Sequence, residues 1–128
     1  MNDLVSAARQ VLGEIELGNG RSAGSVAAAL RTEAGHVYTG ISLQLDCGIG
    51  FCAEHSAIAE MLKHRETRIA EIVAVADDGI RPPCGRCREL MLQVSRANAN
   101  TRVAIADGQA VPLRALLPHH WLDEAGKA

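Results

Sequence analysis

The sequence predicts an α/β domain in which helices cover both faces of a mixed, five-stranded sheet. Segments with helical and with strand-like periodicity alternate along the 128 residues. Residues 69–76 form a nearly continuous apolar run, which is typical of a strand covered on both faces. Asp107-Gly108 is a tight-turn sequence that makes the last two strands antiparallel neighbours. No linker or repeat divides the chain, so we expect one domain over residues 1–128.

The first half of the chain predicts a helix followed by a hairpin. Apolar residues recur at helical spacing over residues 4–15, and the Gly-Asn-Gly sequence at 18–20 ends that helix. Small apolar residues at 25–31 predict a strand. A turn at 33–35 leads into a second predicted strand at 36–43, so the two strands form a hairpin.

The second half predicts two more helices and three more strands. Apolar residues share one face over residues 53–63, and the prolines at 82–83 introduce a helix that ends by 98–100. The strand-like segments are residues 69–76, 102–106 and 110–113. One helical turn is expected at 114–117, and the polar tail from Asp123 is expected to fray.

Composition argues against several classes of function. The formal net charge is -2 and no run of Lys or Arg occurs, so the chain lacks the basic patch of nucleic-acid-binding proteins. No apolar stretch approaches the ~20 residues needed to cross a bilayer, and the N-terminus does not resemble a signal peptide. We therefore expect a cytoplasmic protein with a small-molecule substrate and with no nucleic-acid or membrane partner. Its four cysteines then indicate metal binding or catalysis rather than disulfides.

Reactive residue types are concentrated in two short segments, residues 52–54 (CAE) and 83–88 (PCGRCR). Each segment lies where the chain enters a predicted helix, and a helix N-terminus lowers the pKa of a cysteine through its N–H groups and dipole. Cys84 and Cys87 are one helical turn apart, so both sulfurs can reach one ion. Cys52 completes a set of three ligands, which leaves the fourth position of a Zn2+ ion open for water.

Glu54 follows a predicted ligand by two residues and lies in the first turn of its helix. A carboxylate in that place can take a proton from water and return it to a substrate. The alternative is that Glu54 only stabilises the helix N-terminus electrostatically. The neighbouring cysteines favour the catalytic interpretation.

Three thiolates and one zinc ion carry a summed charge of -1 (-3 + 2), which weakens the Lewis acidity of the ion. Donors to the sulfur atoms would offset this charge. Arg88, directly after Cys87, is the first candidate, and His55, directly after Glu54, is the second. A solvated position on the helix surface is the alternative for each.

With these motifs the chain resembles the cytidine deaminase superfamily, in particular its cytidine deaminase and blasticidin S deaminase branch. The similarity covers residues 26–30 (VAAAL), 38–40 (YTG), 52–54 (CAE), 83–89 (PCGRCRE) and 116–118 (LLP). It implies a three-layer α/β/α sandwich, zinc-dependent hydrolytic release of ammonia from an amino-heterocycle or nucleoside, and a homotetramer with sites near subunit interfaces. It also implies that Ala53 donates its backbone N–H to a substrate carbonyl.

The resemblance is weaker at positions that contact the substrate. Where the family has an Asn-x-Glu pair that holds the ribose, this chain has Ser42 and Gln44. Gly24 replaces a phenylalanine that packs near the base, and His55 replaces the arginine after the catalytic glutamate. We therefore expect intact zinc chemistry on a cytosine nucleoside with an altered sugar, such as an aminoacylated nucleoside antibiotic, on a free base, or on another amino-heterocycle.

Two other functions are compatible with the sequence. A non-catalytic binding protein would use Cys47 as the fourth ligand of a structural four-cysteine zinc site, which leaves Glu54 without a role. A polynucleotide deaminase would need basic and aromatic contacts that are scarce in this chain. Near the C-terminus, His119, His120 and Trp121 could close over a pocket or pack at an interface.

Overall fold

Helices lie on both faces of one sheet in the computed structural model of the protein, which describes residues 1–124. The helices are α1 (Asn2–Val11), α2 (Ala53–Lys63), α3 (Gly85–Val94), α4 (Leu113–Leu116) and α5 (Trp121–Glu124), with a 3-10 helix at Arg96–Asn100. The strands are β1 (Ile15–Gly18), β2 (Arg21–Thr32), β3 (Val37–Gln44), β4 (Ile69–Ala76), β5 (Gly79–Arg81), β6 (Arg102–Ala106) and β7 (Gln109–Pro112). Within residues 1–124, no helix combines the length and the apolar sequence that a membrane span requires.

Strand β2 organises the sheet, because it pairs antiparallel with β1, β3 and β4. Strand β3 runs along one edge of β2, while β1 and β4 share the other edge. Strand β4 pairs antiparallel with β5 and parallel with β6, and β7 follows antiparallel to β6. The order β3-β2-β4-β6-β7 is the predicted five-stranded mixed sheet, and the short strands β1 and β5 are additions to it.

Alternate residues of the central strands face opposite sides of the sheet and so supply two separate cores. On one side Leu30 belongs to a buried cluster with Met61 of α2 and Met91 of α3. On the other side Ala29 belongs to a cluster with Leu4 of α1. The three-layer α/β/α arrangement is therefore confirmed.

Helix α2 lies close against strand β3. A Cβ atom on Gly40 would be only 2.3 Å from the backbone nitrogen of Ala57, so a side chain at this position would displace the helix. This contact fixes α2 on the sheet and so sets the position of Cys52 at its N-terminal end.

Strand β2 is irregular between Ala23 and Ala27. Gly24 has φ +85°, and its carbonyl accepts a hydrogen bond from the backbone nitrogen of Gly13 at 3.0 Å. A Cβ atom on Gly24 would be 2.1 Å from the carbonyl oxygen of Gly13. Only glycine fits at this position, for reasons of both backbone conformation and space.

Several predicted elements have the bounds that the structure shows. The helix at 53–63 and the strands at 69–76 and 102–106 agree residue for residue. The predicted first hairpin is confirmed as β2 and β3, although β2 is longer than predicted at both ends. The predicted last strand and helical turn are each displaced by one residue, because Leu113 begins α4.

The prediction that the first helix continues to Ile15 is wrong. Helix α1 ends at Val11 because Leu12 is extended, with ψ 130°, and Ile15 lies in β1 with 52 % of its surface exposed. The turn at 77–79 also does more than end a strand, because the chain reverses there into β5. The tail beyond residue 124 lies outside the described residues.

Candidate metal centre

Three cysteines lie at the start of two helices. Cys52 is the N-cap residue of α2 and Cys84 is the N-cap residue of α3, each with an extended backbone. Cys87 lies in the first turn of α3 and is fully buried. The two helix starts, which are far apart in the sequence, thus place their cysteines side by side.

The three sulfur atoms are close enough to share one ion. The Sγ atom of Cys84 is 3.5 Å from the Sγ atoms of both Cys52 and Cys87, and all three lie within 4.8 Å of one another. Tetrahedral zinc with Zn–S distances of about 2.3 Å needs sulfur separations of about 3.8 Å, so the cluster fits the ion with a small expansion. Among residues 1–124 no other group of three or more His, Cys, Asp and Glu side chains meets this condition.

Cys47 is not a member of this cluster. It is exposed in the loop after β3, where its backbone has φ 61°. The described residues therefore offer an ion three sulfur ligands rather than the four of a structural zinc site.

Burial and the helix ends affect the three thiols differently. Burial opposes ionisation of Cys84, but the N–H groups of Cys87 and Arg86 and the neighbouring thiols hold the pKa of Cys84 below its ordinary value. Burial raises the pKa of Cys52, and burial together with the charge of Glu54 raises the pKa of Cys87. The expectation that helix N-termini lower all three values is wrong for these two, because burial and then the neighbouring acidic groups raise them. Zinc binding would release their protons.

Glu54 lies on the first turn of α2 and is only 5 % exposed. Burial raises the pKa of its carboxyl group, and a hydrogen bond from the thiol of Cys87 offsets part of that increase. A carboxyl group whose pKa is moved towards neutrality can both hold and release a proton during a reaction.

A cavity of about 200 Å³ opens beside the cysteine cluster. One side is formed by Cys52, Glu54 and Cys84 at the helix starts. The other side includes Ser42 and Gln44 at the end of β3. The structure therefore brings two of the three predicted metal ligands, the predicted proton carrier and the predicted substrate contacts to one cavity, which Ala53 also lines.

Ser42 and Gln44 are held by hydrogen bonds to each other and to β2. The Nε2 atom of Gln44 donates to Oγ of Ser42 at 3.2 Å, and Oγ of Ser22 donates to Oε1 of Gln44 at 3.2 Å. Oγ of Ser42 also accepts from the backbone nitrogen of Val26 at 3.1 Å. This neutral network orients both side chains and leaves the hydroxyl hydrogen of Ser42 for another acceptor.

Arg88 and His55, the two predicted donors to sulfur, have surroundings that the sequence did not indicate. Arg88 donates from Nε to the carbonyl oxygen of Pro83 at 2.9 Å and from Nη1 to that of Leu116 at 3.0 Å, which ties the loop before α3 to α4. The Nε2 atom of His55 is buried and has no hydrogen-bond partner within the described part of the chain. Burial, and then the charge of Arg86, lowers the pKa of His55, which favours a neutral ring. Donation to sulfur by either residue stays a prediction.

Solved structures share this architecture. A mutant of the cytidine deaminase from Mycobacterium tuberculosis matches with a TM-score of 0.80 and 25% identity, over 94% of this chain and 96% of that one. The cytidine deaminase from Burkholderia pseudomallei matches with a TM-score of 0.76 and 25% identity, over 94% and 98% of the two chains. The enzyme from Bacillus anthracis matches with a TM-score of 0.73 and 24% identity, over 98% and 91%. No protein-family model matches the chain.

By its fold, the chain belongs to the cytidine deaminase superfamily. Of the departures from that superfamily noted in the sequence, Ser42 and Gln44 line the cavity opposite the cysteines, whereas His55 follows Glu54 in the first turn of α2. Gly24 is not among the residues that line the cavity, and its surroundings leave no room for a side chain. The metal side of the cavity is therefore formed by Cys52, Glu54 and Cys84, and the substrate side includes Ser42 and Gln44.

The sequence did not identify every residue at the cavity. Phe51, Arg81 and Pro82 also line it, and Arg81 lies in β5, the strand that the sequence analysis missed. The Asp-Asp-Gly turn after a strand was the available signal, because such a turn commonly returns the chain alongside that strand. His120, by contrast, lines a separate cavity near Leu113.

Proposed function

We propose that the protein is a zinc-dependent aminohydrolase that deaminates an amino-pyrimidine nucleoside or a related amino-heterocycle and releases ammonia. The observation that carries this proposal is a buried glutamate that shares one cavity with two of three clustered cysteines. The similarity to solved cytidine deaminases supports the same class of reaction at the level of the superfamily.

Cys52, Cys84 and Cys87 would hold the ion through their sulfur atoms, as the spacing of these atoms supports. When bound there, zinc supplies Lewis acidity, which lowers the pKa of water beside the substrate towards neutrality. The raised pKa of Cys87 means that the ion must displace a proton from this buried thiol, so binding weakens as pH falls.

Glu54 would carry protons in the reaction. Its carboxylate takes a proton from water as the water oxygen bonds to the amine-bearing carbon, and gives that proton to the ring nitrogen. It then takes a second proton from the hydroxyl group of the tetrahedral adduct and gives it to the exocyclic amine; the carbon–nitrogen bond breaks, a carbonyl forms, and ammonia leaves. Burial favours this role. Because it raises the pKa of Glu54, it makes the protonated and the ionised carboxyl group more nearly equal in free energy.

Ala53, Ser42 and Gln44 would orient the substrate. Ala53 precedes Glu54 at the start of α2, where its backbone N–H can donate to a substrate carbonyl. The hydroxyl group of Ser42 has a hydrogen to donate, and the position of Gln44 is fixed by Ser22. These neutral contacts support a substrate that differs from ordinary cytidine in its sugar, as in the blasticidin S deaminase branch.

Arg88 and His55 would support the ligands from outside the ion's coordination sphere. Arg88 positions the loop that leads into Cys84 by its hydrogen bond to Pro83. The unpartnered Nε2 of His55 is the buried polar atom that a donor to sulfur or a neighbouring subunit would use.

Three broader predictions accompany this function: one domain over residues 1–128, a cytoplasmic location and a homotetramer. The exposed apolar side chains of Ile49 and Phe51, next to the cavity, support an assembly that covers this region. Light scattering of the purified protein would give the mass of the assembly, and a monomer would contradict the tetramer.

The deciding experiment is ammonia release by zinc-loaded protein from cytosine, cytidine, deoxycytidine, blasticidin S and aminopurines. Activity that is present in the natural sequence and lost in Glu54→Ala would support the reaction and name the substrate class. Silence over the whole panel, with zinc bound and the fold intact, would contradict the proposal.

A further inference from the structure

Arg81 occupies a fixed place at the rim of the candidate active site. Its Cα pairs with that of Ala74 in the antiparallel β4–β5 ladder, and it lines the same cavity as Glu54 and Cys84. The backbone position of Arg81 is therefore set by the sheet, while its side chain remains 55 % exposed.

Arg81 is the one basic residue among those that line this cavity within the described chain. The other polar side chains opposite the cysteines, Ser42 and Gln44, are neutral and are engaged in one network with Ser22. Among the described residues, the positive charge that lines this cavity is therefore that of a single guanidinium group.

The ion pair between Arg81 and Asp78 is weak enough for a substrate anion to replace Asp78. Its Nη2 atom donates to both carboxylate oxygens of Asp78, at 3.0 and 3.2 Å. The side chain of Asp78 is 74 % exposed, so the pair lies in water, where such pairs are weak and screened by salt. Both bonds start from one nitrogen, whereas a guanidinium group has five N–H donors and can bind a carboxylate or phosphate through two nitrogens at once.

We propose that the substrate carries an anionic group, a carboxylate or a phosphate, and that Arg81 binds this group. The inference rests on the proposed deaminase function and specifies its substrate class. With zinc bound, three thiolates, the ion and Glu54 would give the other side of the cavity a negative charge, which would repel an anionic substrate. A cation at the rim removes that penalty for the substrate's anionic end and orients the heterocycle towards Glu54.

The test uses pairs of compounds that differ in one anionic group. The pairs are cytosine with 5-carboxycytosine, cytidine with cytidine 5′-carboxylic acid, and cytidine with cytidine 5′-monophosphate. Ammonia release is measured for zinc-loaded protein with the natural sequence, for Arg81→Gln and for Arg68→Gln. Arg68 is the matched control, because it is an exposed arginine directly before β4, at the end of the strand away from β5.

We expect at least one anionic compound to be favoured over its neutral partner. In Arg81→Gln, kcat/KM for that compound should fall about tenfold to a hundredfold, mainly through KM, with little change for the neutral partner. Arg68→Gln should keep the preference. Asp78→Asn, which releases Arg81 from its present partner, should lower KM for the anionic compound. The pair that shows the effect distinguishes a carboxylate from a phosphate.

Equal use of both members of every pair, or an equal loss for both in Arg81→Gln, would overturn this inference and leave the deaminase function standing. The second result would mean that Arg81 only balances the charge of the metal side. If zinc is bound but no compound releases ammonia, both the proposed function and this inference are contradicted.

Discussion

The two sides of the cavity differ in how the chain builds them. The metal side consists of two helix starts, and its residues lie within two segments of three and six positions, 52–54 and 83–88. The substrate side consists of strand ends from β2, β3 and β5, held by hydrogen bonds between Ser22, Ser42 and Gln44. Local spacing determines the first side, whereas strand register determines the second.

This difference determines how freely each side can change its residues. A zinc site tolerates little change in ligand type or spacing, because three sulfurs must converge on one ion. A strand end can exchange side chains while the sheet stays intact, so a new substrate can be accommodated there.

The largest expected effect concerns the metal side and the proton carrier. Glu54→Gln should reduce kcat by at least about a thousandfold, because the amide cannot transfer protons. Zinc content should remain unchanged. Glu60→Gln on the exposed face of the same helix is the control and should keep its activity. A near-normal kcat in Glu54→Gln would mean that Glu54 does not transfer protons in the reaction.

Replacement of a cysteine ligand should prevent zinc from staying bound. Cys84→Ser should lose most of its bound zinc and unfold at lower urea concentration, because ion binding stabilises the folded chain. Cys47→Ser should retain zinc, since Cys47 is outside the cluster. Metal analysis after dialysis measures both. Zinc loss from Cys47→Ser would instead indicate a structural four-cysteine site.

Strand β2 depends on Gly24 for its local shape. Gly24→Ala should lower the free energy of unfolding by at least about 3 kcal/mol, because φ +85° is strained for alanine and the new Cβ meets Gly13 at 2.1 Å. Gly20→Ala has a similar φ of +80° but open space around the Cβ, and should cost only about 1 kcal/mol. Urea unfolding compares the two. Equal losses would mean that the contact with Gly13 is not what selects glycine.

A smaller effect is expected at the far ends of β3 and α2, away from both sides of the cavity. Glu66 accepts a hydrogen bond from the hydroxyl group of Tyr38 at 2.6 Å, and the Nδ1 atom of His36 is 2.9 Å away. Hydrogen bonds, first from Tyr38 and then from Thr32, hold the pKa of Glu66 below its ordinary value of 4.5. The bond to Glu66 raises the pKa of Tyr38 from 10.0 to about 12.

The pKa shifts of Glu66 and Tyr38 change the stability of the fold at opposite ends of the pH range. The lowered pKa of Glu66 stabilises the fold above pH 4.5 and is lost as pH falls through the folded value. The raised pKa of Tyr38 stabilises the fold below pH 10.0 and is lost as pH rises towards about 12. Tyr38→Phe should flatten the alkaline slope, reduce the acid slope and leave kcat unchanged. Urea midpoints measured from pH 3 to 11 would show this, and identical slopes in the two proteins would contradict it.

Most of the sheet and the metal side could be predicted from sequence. Residues 69–76 are apolar because they are buried on both faces, and the helix at 53–63 is amphipathic, so both elements carry their own signal. Strand β5 has only three residues and carries no periodicity, so Arg81 could not be placed at the cavity. Ile15 matched a helical pattern, but the close approach of Gly13 to Gly24 ends that pattern, and such an approach depends on tertiary structure.

X-ray absorption at the zinc edge of the metal-loaded protein tests the central claim most directly. Three sulfur ligands at about 2.3 Å and one lighter atom at about 2.0 Å are expected, since Cys52, Cys84 and Cys87 form the cluster without Cys47. Four sulfur ligands would contradict a catalytic centre and would indicate a structural zinc site instead.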